Sequence, residues 1–284
     1  MLKISSGLMF SSIFVLMVLL NTSCHKENTS FNYNQAIETV SSYVEAQQMT
    51  DLLLNTYFKS ITDSTLLTSG ISEIDGANVT YTISPAKIVI NYPYSKTDGY
   101  GHYRKGKYEA VSETSFFNPD DVINLTFTNF YYDNDSLNIN NITIINKDKN
   151  TNNNSVFNIS GDDIYRETAD STGNTSYIKY QFQQEFVLHK DVSSTYHTQN
   201  DYFSIVGDLM GIAQNTFTFN ASILDTSKLI VAYDCNWIKS GIANIQLPDF
   251  IYNSVADFSI DGDCVNMYSV FTDDTRITSA FDTE

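Results

Sequence analysis

Three cysteines, four histidines and 33 acidic side chains are the groups in this chain that could do chemistry, and the cysteines are the most telling. Lys3, an apolar run from Leu8 to Leu20 and the short polar step Asn21-Thr22-Ser23 stand directly before Cys24. The apolar run has the length of a signal-peptide core, whereas a membrane-spanning helix needs roughly 20 such residues. The chemistry expected at Cys24 is therefore acylation of its thiol after removal of residues 1–23. Each acyl methylene buried in a bilayer contributes about 0.8 kcal/mol, so a cysteine carrying palmitate-type chains is fastened permanently without spanning anything. Export also permits a bridge between Cys235 and Cys264, for which chain entropy gives about 3 to 4 kcal/mol. The alternative is two buried thiols acting as small hydrophobes. Asp234, Asp261 and Asp263 stand beside these cysteines, and nearby negative charge suppresses the thiolate, so neither is expected to be a nucleophile.

The other reactive types do not converge in sequence. His102, His189 and His197 are scattered, and no cysteine or histidine pair has zinc-ligand spacing. Asp133 and Asp135, with Asn134 and Asn138, make a fragment of a calcium loop without its glycine and terminal glutamate, and Asp261 and Asp263 are equally incomplete. Both read as solvated acidic turns, so no catalytic, cofactor or metal residue is assigned. A carboxylate pair for glycoside hydrolysis would be assembled by the fold and has no sequence spacing to find. Asp63-Ser64-Thr65, Asp135-Ser136-Leu137 and Asp170-Ser171-Thr172 resemble the O-glycosylation triplet of exported Bacteroidota proteins, at a frequency that chance supplies in such a chain.

Composition limits the partners. With 16 basic residues against 33 acidic the net charge is −17, and loss of Lys3 with the leader makes it −18. Such a surface repels nucleic-acid phosphates, so no nucleic-acid partner is expected. Hydrophobic residues at 42% and aromatics at 13% suffice for a packed core. Most of the 19 Tyr and 18 Phe fall inside strand patterns and are expected in that core rather than on a surface that stacks against sugars.

Several elements would have to position these groups. Residues 24–32 read as a polar tether. Over 34–59, Ile37, Val40, Val44, Met49, Leu52, Leu53 and Tyr57 recur near a period of 3.6, predicting a helix or helix pair that packs between tether and body. From residue 79 onward the texture is short β-branched and aromatic runs, at 79–83, 87–92, 107–111, 122–132, 139–145, 177–188, 202–206, 217–223, 229–233, 241–247, 255–260 and 264–271. Period-two alternation in Leu125-Thr126-Phe127-Thr128-Asn129-Phe130 argues for strands with one buried face. The expected fold is mainly β, an antiparallel β-sandwich or two related β units, after a short N-terminal helical segment at 33–75. An Asn-rich stretch at 147–154 suggests units at 76–150 and 151–284. A weak repeat, Lys87 to Val111 against Lys228 to Ile245, suggests the same division.

Two resemblances add an address. The run into Cys24 resembles the lipobox of bacterial lipoproteins, with Leu20 one step further back than the usual aliphatic residue. Lys26-Glu27 resembles the charged signal that sends some Bacteroidota lipoproteins to the outer face of the outer membrane. The segments Tyr103 to Val111, Tyr202-Phe203-Ser204-Ile205-Val206-Gly207, Cys235-Asn236-Trp237-Ile238-Lys239-Ser240-Gly241 and Asp261-Gly262-Asp263-Cys264-Val265-Asn266 look like a family of uncharacterised Bacteroidota cell-envelope lipoproteins. That resemblance implies an outer-membrane location and no assigned activity. The expectation is a lipid-anchored, non-enzymatic binding or structural module whose partners are the membrane and a glycan or envelope protein. A deep cleft with opposed carboxylates would indicate a glycan-processing enzyme instead, and a long open strand edge an adhesin or assembly subunit.

Overall fold

The helix foretold by the 3.6-residue period is α1 (Tyr33–Thr62), 30 residues long and so about 45 Å from end to end. Asp63 then caps a second helix, α2 (Ser64–Ser69), by accepting the Leu66 N–H on its side chain at 2.6 Å. The computed structural model describes residues 33–93, 97, 102–169, 172–190, 200–259, 264–272 and 275–281. Cys24 with the leader and tether, His197, and Asp261 with Asp263 lie outside these residues. Among the described residues no helix is long and apolar enough to cross a membrane.

Fifteen antiparallel strands follow α2. They are β1 (Ile71–Ile74), β2 (Ala77–Thr82), β3 (Ala86–Tyr92), β4 (Arg104–Ser112), β5 (Val122–Tyr132), β6 (Asp135–Lys147), β7 (Ser155–Ala169) and β8 (Thr175–His189). The remainder are β9 (Tyr202–Ile212), β10 (Thr218–Ile223), β11 (Leu229–Ala232), β12 (Ile242–Gln246), β13 (Ser254–Asp257), β14 (Tyr268–Thr272) and β15 (Thr275–Ser279). They form one sheet that meanders in chain order, except that β12 pairs with β10 and β11 branches off to pair with β9. Local chemistry sets the turns. Asp75-Gly76 joins β1 to β2 with both residues at positive φ, as a two-residue hairpin requires. The Asn-rich stretch is likewise a turn: Lys147 pairs with Val156 on either side of it, so residues 76–150 and 151–284 share a single sheet. The two halves of the weak repeat have different surroundings, since β3 lies between β2 and β4 while β11 is the branch.

This sheet curls around α1. Side chains of the helix meet β3 and β4 through Tyr92 and Arg104, β7 through Phe157 and Arg166, β8 through Tyr180 and Gln184, and β9 through Phe203. They also reach β10 through Phe219 and β14 through Tyr268. Every residue from Met49 to Ile61 is buried. The helix is thus the core about which the sheet closes, and not a spacer between tether and body. Alternation supplies the inner face: Ile88, Ile90 and Tyr92 on β3 and Ile178, Tyr180 and Phe182 on β8 are buried, while Val89, Asn91, Lys179 and Gln181 between them lie on the outer face and are less buried. The two sheet edges, β1 and β15, are four and five residues long and carry Glu73 and Arg276. Short charged edges discourage pairing with a further strand.

Candidate functional site

A helix buried on all sides must bury its polar face, and buried polar atoms need partners. The strands supply them. Gln47 and Gln184 exchange amide hydrogen bonds at 2.6 and 3.3 Å, Thr50 Oγ1 lies 3.4 Å from the Tyr180 hydroxyl, and Thr39 bonds the Asn215 amide. Lys59 Nζ sits 2.9 Å from Asp75 Oδ1. Thr56 donates to Asp75 Oδ2 and accepts from Arg104 Nη1 and the Tyr92 hydroxyl, all at 3.0 to 3.1 Å. Nearer the middle of the helix, Arg166 bridges Glu45 and Asp135 at 2.6 and 2.5 Å.

Four helix side chains depart from this pattern, Tyr43, Asp51, Asn55 and Tyr57, each with a buried oxygen that has no hydrogen-bond partner among the described residues. Asp51 Oδ1 accepts the Gln47 amide at 2.9 Å, but its Oδ2 and the Asn55 Oδ1 one turn later are buried without a hydrogen-bond partner among the described residues. Burial pushes the Asp51 carboxyl well above the usual carboxylate range, the Gln47 N–H offsetting part of the rise. Asp51 and Asn55 line a small void of about 10 Å³ together with residues 235–238. Among the latter, Asn236 also has an orphaned acceptor, its Oδ1. The Asn236 backbone is held by its neighbours: Cys235 is joined to Cys264 with the Cα atoms 5.5 Å apart, and Trp237 stacks on Phe281 at 5.3 Å.

At the C-terminal end of α1 the curl of the sheet opens into a cleft of about 650 Å³, within the range typical of small-molecule sites. Its floor is apolar, made by Ile61, Phe116, Phe117, Phe157 and Leu188. Its rim carries Lys147, Lys149 and Lys190, with Asp148 between the first two. Asn146 donates to the carbonyls of Phe116 and Asn118, which holds the 113–121 loop beside the helix end. Phe116 is thereby packed against Tyr57 while Phe117 remains 50% exposed at the opening.

A second depression, about 410 Å³, lies on the outer face of the sheet. The register aligns Asp208, Ser222 and Asn244 in one cross-strand row and Met210, Asn220 and Gln246 in the next. These rows present amides, a hydroxyl and a carboxylate side by side, with no aromatic ring among the lining residues.

The residues singled out by type are not brought together. His102 Nδ1 pairs with Asp133 Oδ2 at 2.9 Å, whereas Asp135 is taken by Arg166, so the calcium-loop fragment does not converge. No group of three or more His, Cys, Asp or Glu among the described residues could hold a metal ion. His189 contacts Ser204 Oγ at 2.9 Å and Asn154 at 3.1 Å, a contact no sequence motif foretells. With the Asn154 amide donating to Nδ1, the ring proton sits on Nε2 and donates to Ser204, so that nitrogen is not poised to deprotonate the serine. Ser204 is only 5% exposed, which keeps a substrate from its oxygen. Neither the cleft nor the outer groove has two carboxylates in its lining. Sequence reasoning missed the cleft because its lysines belong to the Asn-rich turn and the end of β8, and its rings to two separate segments, Phe116-Phe117 and Phe157. No family model, no curated protein and no solved structure matches the chain.

Proposed function

We propose that this protein is a non-enzymatic binding module, held at the outer membrane of the cell envelope by acyl chains on Cys24, which takes an amphipathic anion into the cleft at the end of α1. One observation carries the reading: three lysines rim an apolar floor in a chain whose net charge is −17. An alkyl chain buried on Phe117, Phe157 and Leu188 gains about 25 cal/mol per Å² removed from water. A phosphate or carboxylate at its head lies within reach of the lysines, which gives orientation and steering. Titration calorimetry of the protein expressed without its leader tests this. Dodecyl phosphate is expected to bind, and an uncharged dodecyl glycoside more weakly. Lys149→Glu and Lys190→Glu should each cost the phosphate about fivefold, as about 1 kcal/mol per exposed pair implies. Equal binding of both amphiphiles, or none, contradicts the reading.

The amide rows on the outer face favour a second reading, a glycan held by Asp208, Asn220, Asn244 and Gln246 across β9, β10 and β12. Glycan-array binding that is lost in Asn244→Ala would support it. An array without a single retained sugar would remove it.

A further inference from the structure

The geometry points to a monovalent-cation site inside the protein, held by Asp51 Oδ2, Asn55 Oδ1 and Asn236 Oδ1. Along α1 the buried side chains of Gln47, Thr56 and Lys59 meet their neighbours through matched donors and acceptors, and the orphaned Tyr43 and Tyr57 hydroxyls stand singly. At this one place three residues that line the same void each carry an acceptor oxygen, and none of the three oxygens accepts a hydrogen bond from a described residue. Asp51 and Asn55 are 94% and 93% buried, with 6% and 7% of their surfaces exposed. Orphaned acceptors at such depth cost about 1 to 3 kcal/mol each, and more for a charged one.

The identity of the groups selects the ligand. No ammonium or guanidinium side chain is among the lining residues, whose N–H donors are neutral, the amides of Gln48, Asn55 and Asn236 and the Trp237 indole. Oxygen-only ligation by a carboxylate and neutral amides suits a hard cation. Charge selects its valence, because one carboxylate and one monovalent cation leave a neutral buried pair, whereas a divalent ion would leave an uncompensated positive charge. The size agrees: about 10 Å³ of room accommodates one body of roughly water dimensions. The cation would tie α1 to the loop at 235–238, whose other fastenings include the disulfide and the Trp237 stack on Phe281. This inference does not depend on the ligand of the cleft.

The test is thermal unfolding of the wild-type protein in NaCl or KCl, with ionic strength held constant by tetramethylammonium chloride. The melting temperature is expected to rise with the alkali-cation concentration in wild type and to be insensitive to it in Asp51→Asn. Asn236→Ala, on the loop side, should flatten the same dependence and serves if the helix variant does not fold. Crystals grown in thallium(I) should show an anomalous peak between Asp51, Asn55 and Asn236. A melting temperature independent of the cation, a rise shared equally by the variants, a response to calcium alone, or no thallium peak would each overturn the proposal.

Discussion

Tyr57 and Tyr108 are both fully buried, and burial pushes both phenols up, yet their hydroxyls stand differently. The Tyr108 hydroxyl donates to the Leu53 carbonyl at 3.0 Å, while that of Tyr57 has no partner among the described residues. Removing a satisfied buried hydrogen bond costs about 1 kcal/mol, and removing an orphaned hydroxyl relieves its desolvation. Urea unfolding should therefore find Tyr108→Phe destabilised by about 1 kcal/mol and Tyr57→Phe unchanged or more stable. His189 gives a pH signature at the same scale. Burial, with Lys228 nearby, lowers its pKa from the ordinary 6.5, so the unfolded chain binds that proton more readily than the folded one. Its contribution is whole above pH 6.5 and declines as the pH falls below that value toward the lowered pKa. Stability measured from pH 7.5 to 5 should drop less in His189→Gln than in wild type. Nothing in the order of residues announces the His189 contacts, since Ser204 and Asn154 are 15 and 35 positions away.

At the scale of elements, packing against α1 decides the outcome. Phe58 meets Phe157, Phe186 and Phe203 at 4.6 to 6.4 Å between ring centroids. Phe58→Ala should cost about 3 to 5 kcal/mol, the range for emptying such a site, read as a loss of thermal and urea stability. A backbone device does comparable work in β4. At Gly106 the register with β5 slips by one residue, φ is +95°, and an added Cβ would lie 2.0 Å from the Asn129 carbonyl oxygen. Gly106→Ala is expected to unfold the protein or to shift the pairing of β4 with β5, visible in amide exchange of those strands. The period of α1 was legible in the sequence, but the burial of every residue from Met49 to Ile61 was not, because Thr50, Asp51, Asn55 and Thr56 have the polarity of a solvent face. The partners of Thr50 and Thr56 come from Tyr180 on β8 and from Tyr92 and Arg104 on β3 and β4, and only the curled sheet brings them near. Strand β7 was illegible for a local reason. Gly161-Asp162-Asp163 has the chemistry of a turn, yet it forms a bulge between Gly161 and Ile164 within one continuous strand.

At the largest scale, the sheet over the described residues curls around the helix and leaves a lysine-rimmed opening at one end. The fold class was legible from period-two alternation, whereas the cleft was not, since it is assembled from Ile61, residues 116 and 117, Phe157, Leu188 and the lysines between and after them. The bond between Cys235 and Cys264, 29 residues apart, fastens the last part of the chain. Replacing both by serine should lower stability by about 3 to 4 kcal/mol on the loop-entropy argument, measured under conditions where wild type stays oxidised. Short charged edges at β1 and β15 argue against strand donation as the mode of partnership. The most direct measurement of the binding account is backbone and methyl NMR of the protein titrated with dodecyl phosphate. Saturable shifts confined to Ile61, Phe117, Lys149, Phe157, Leu188 and Lys190 are expected. Shifts centred on the outer face of β9, β10 and β12, or no saturable shifts at all, would contradict it.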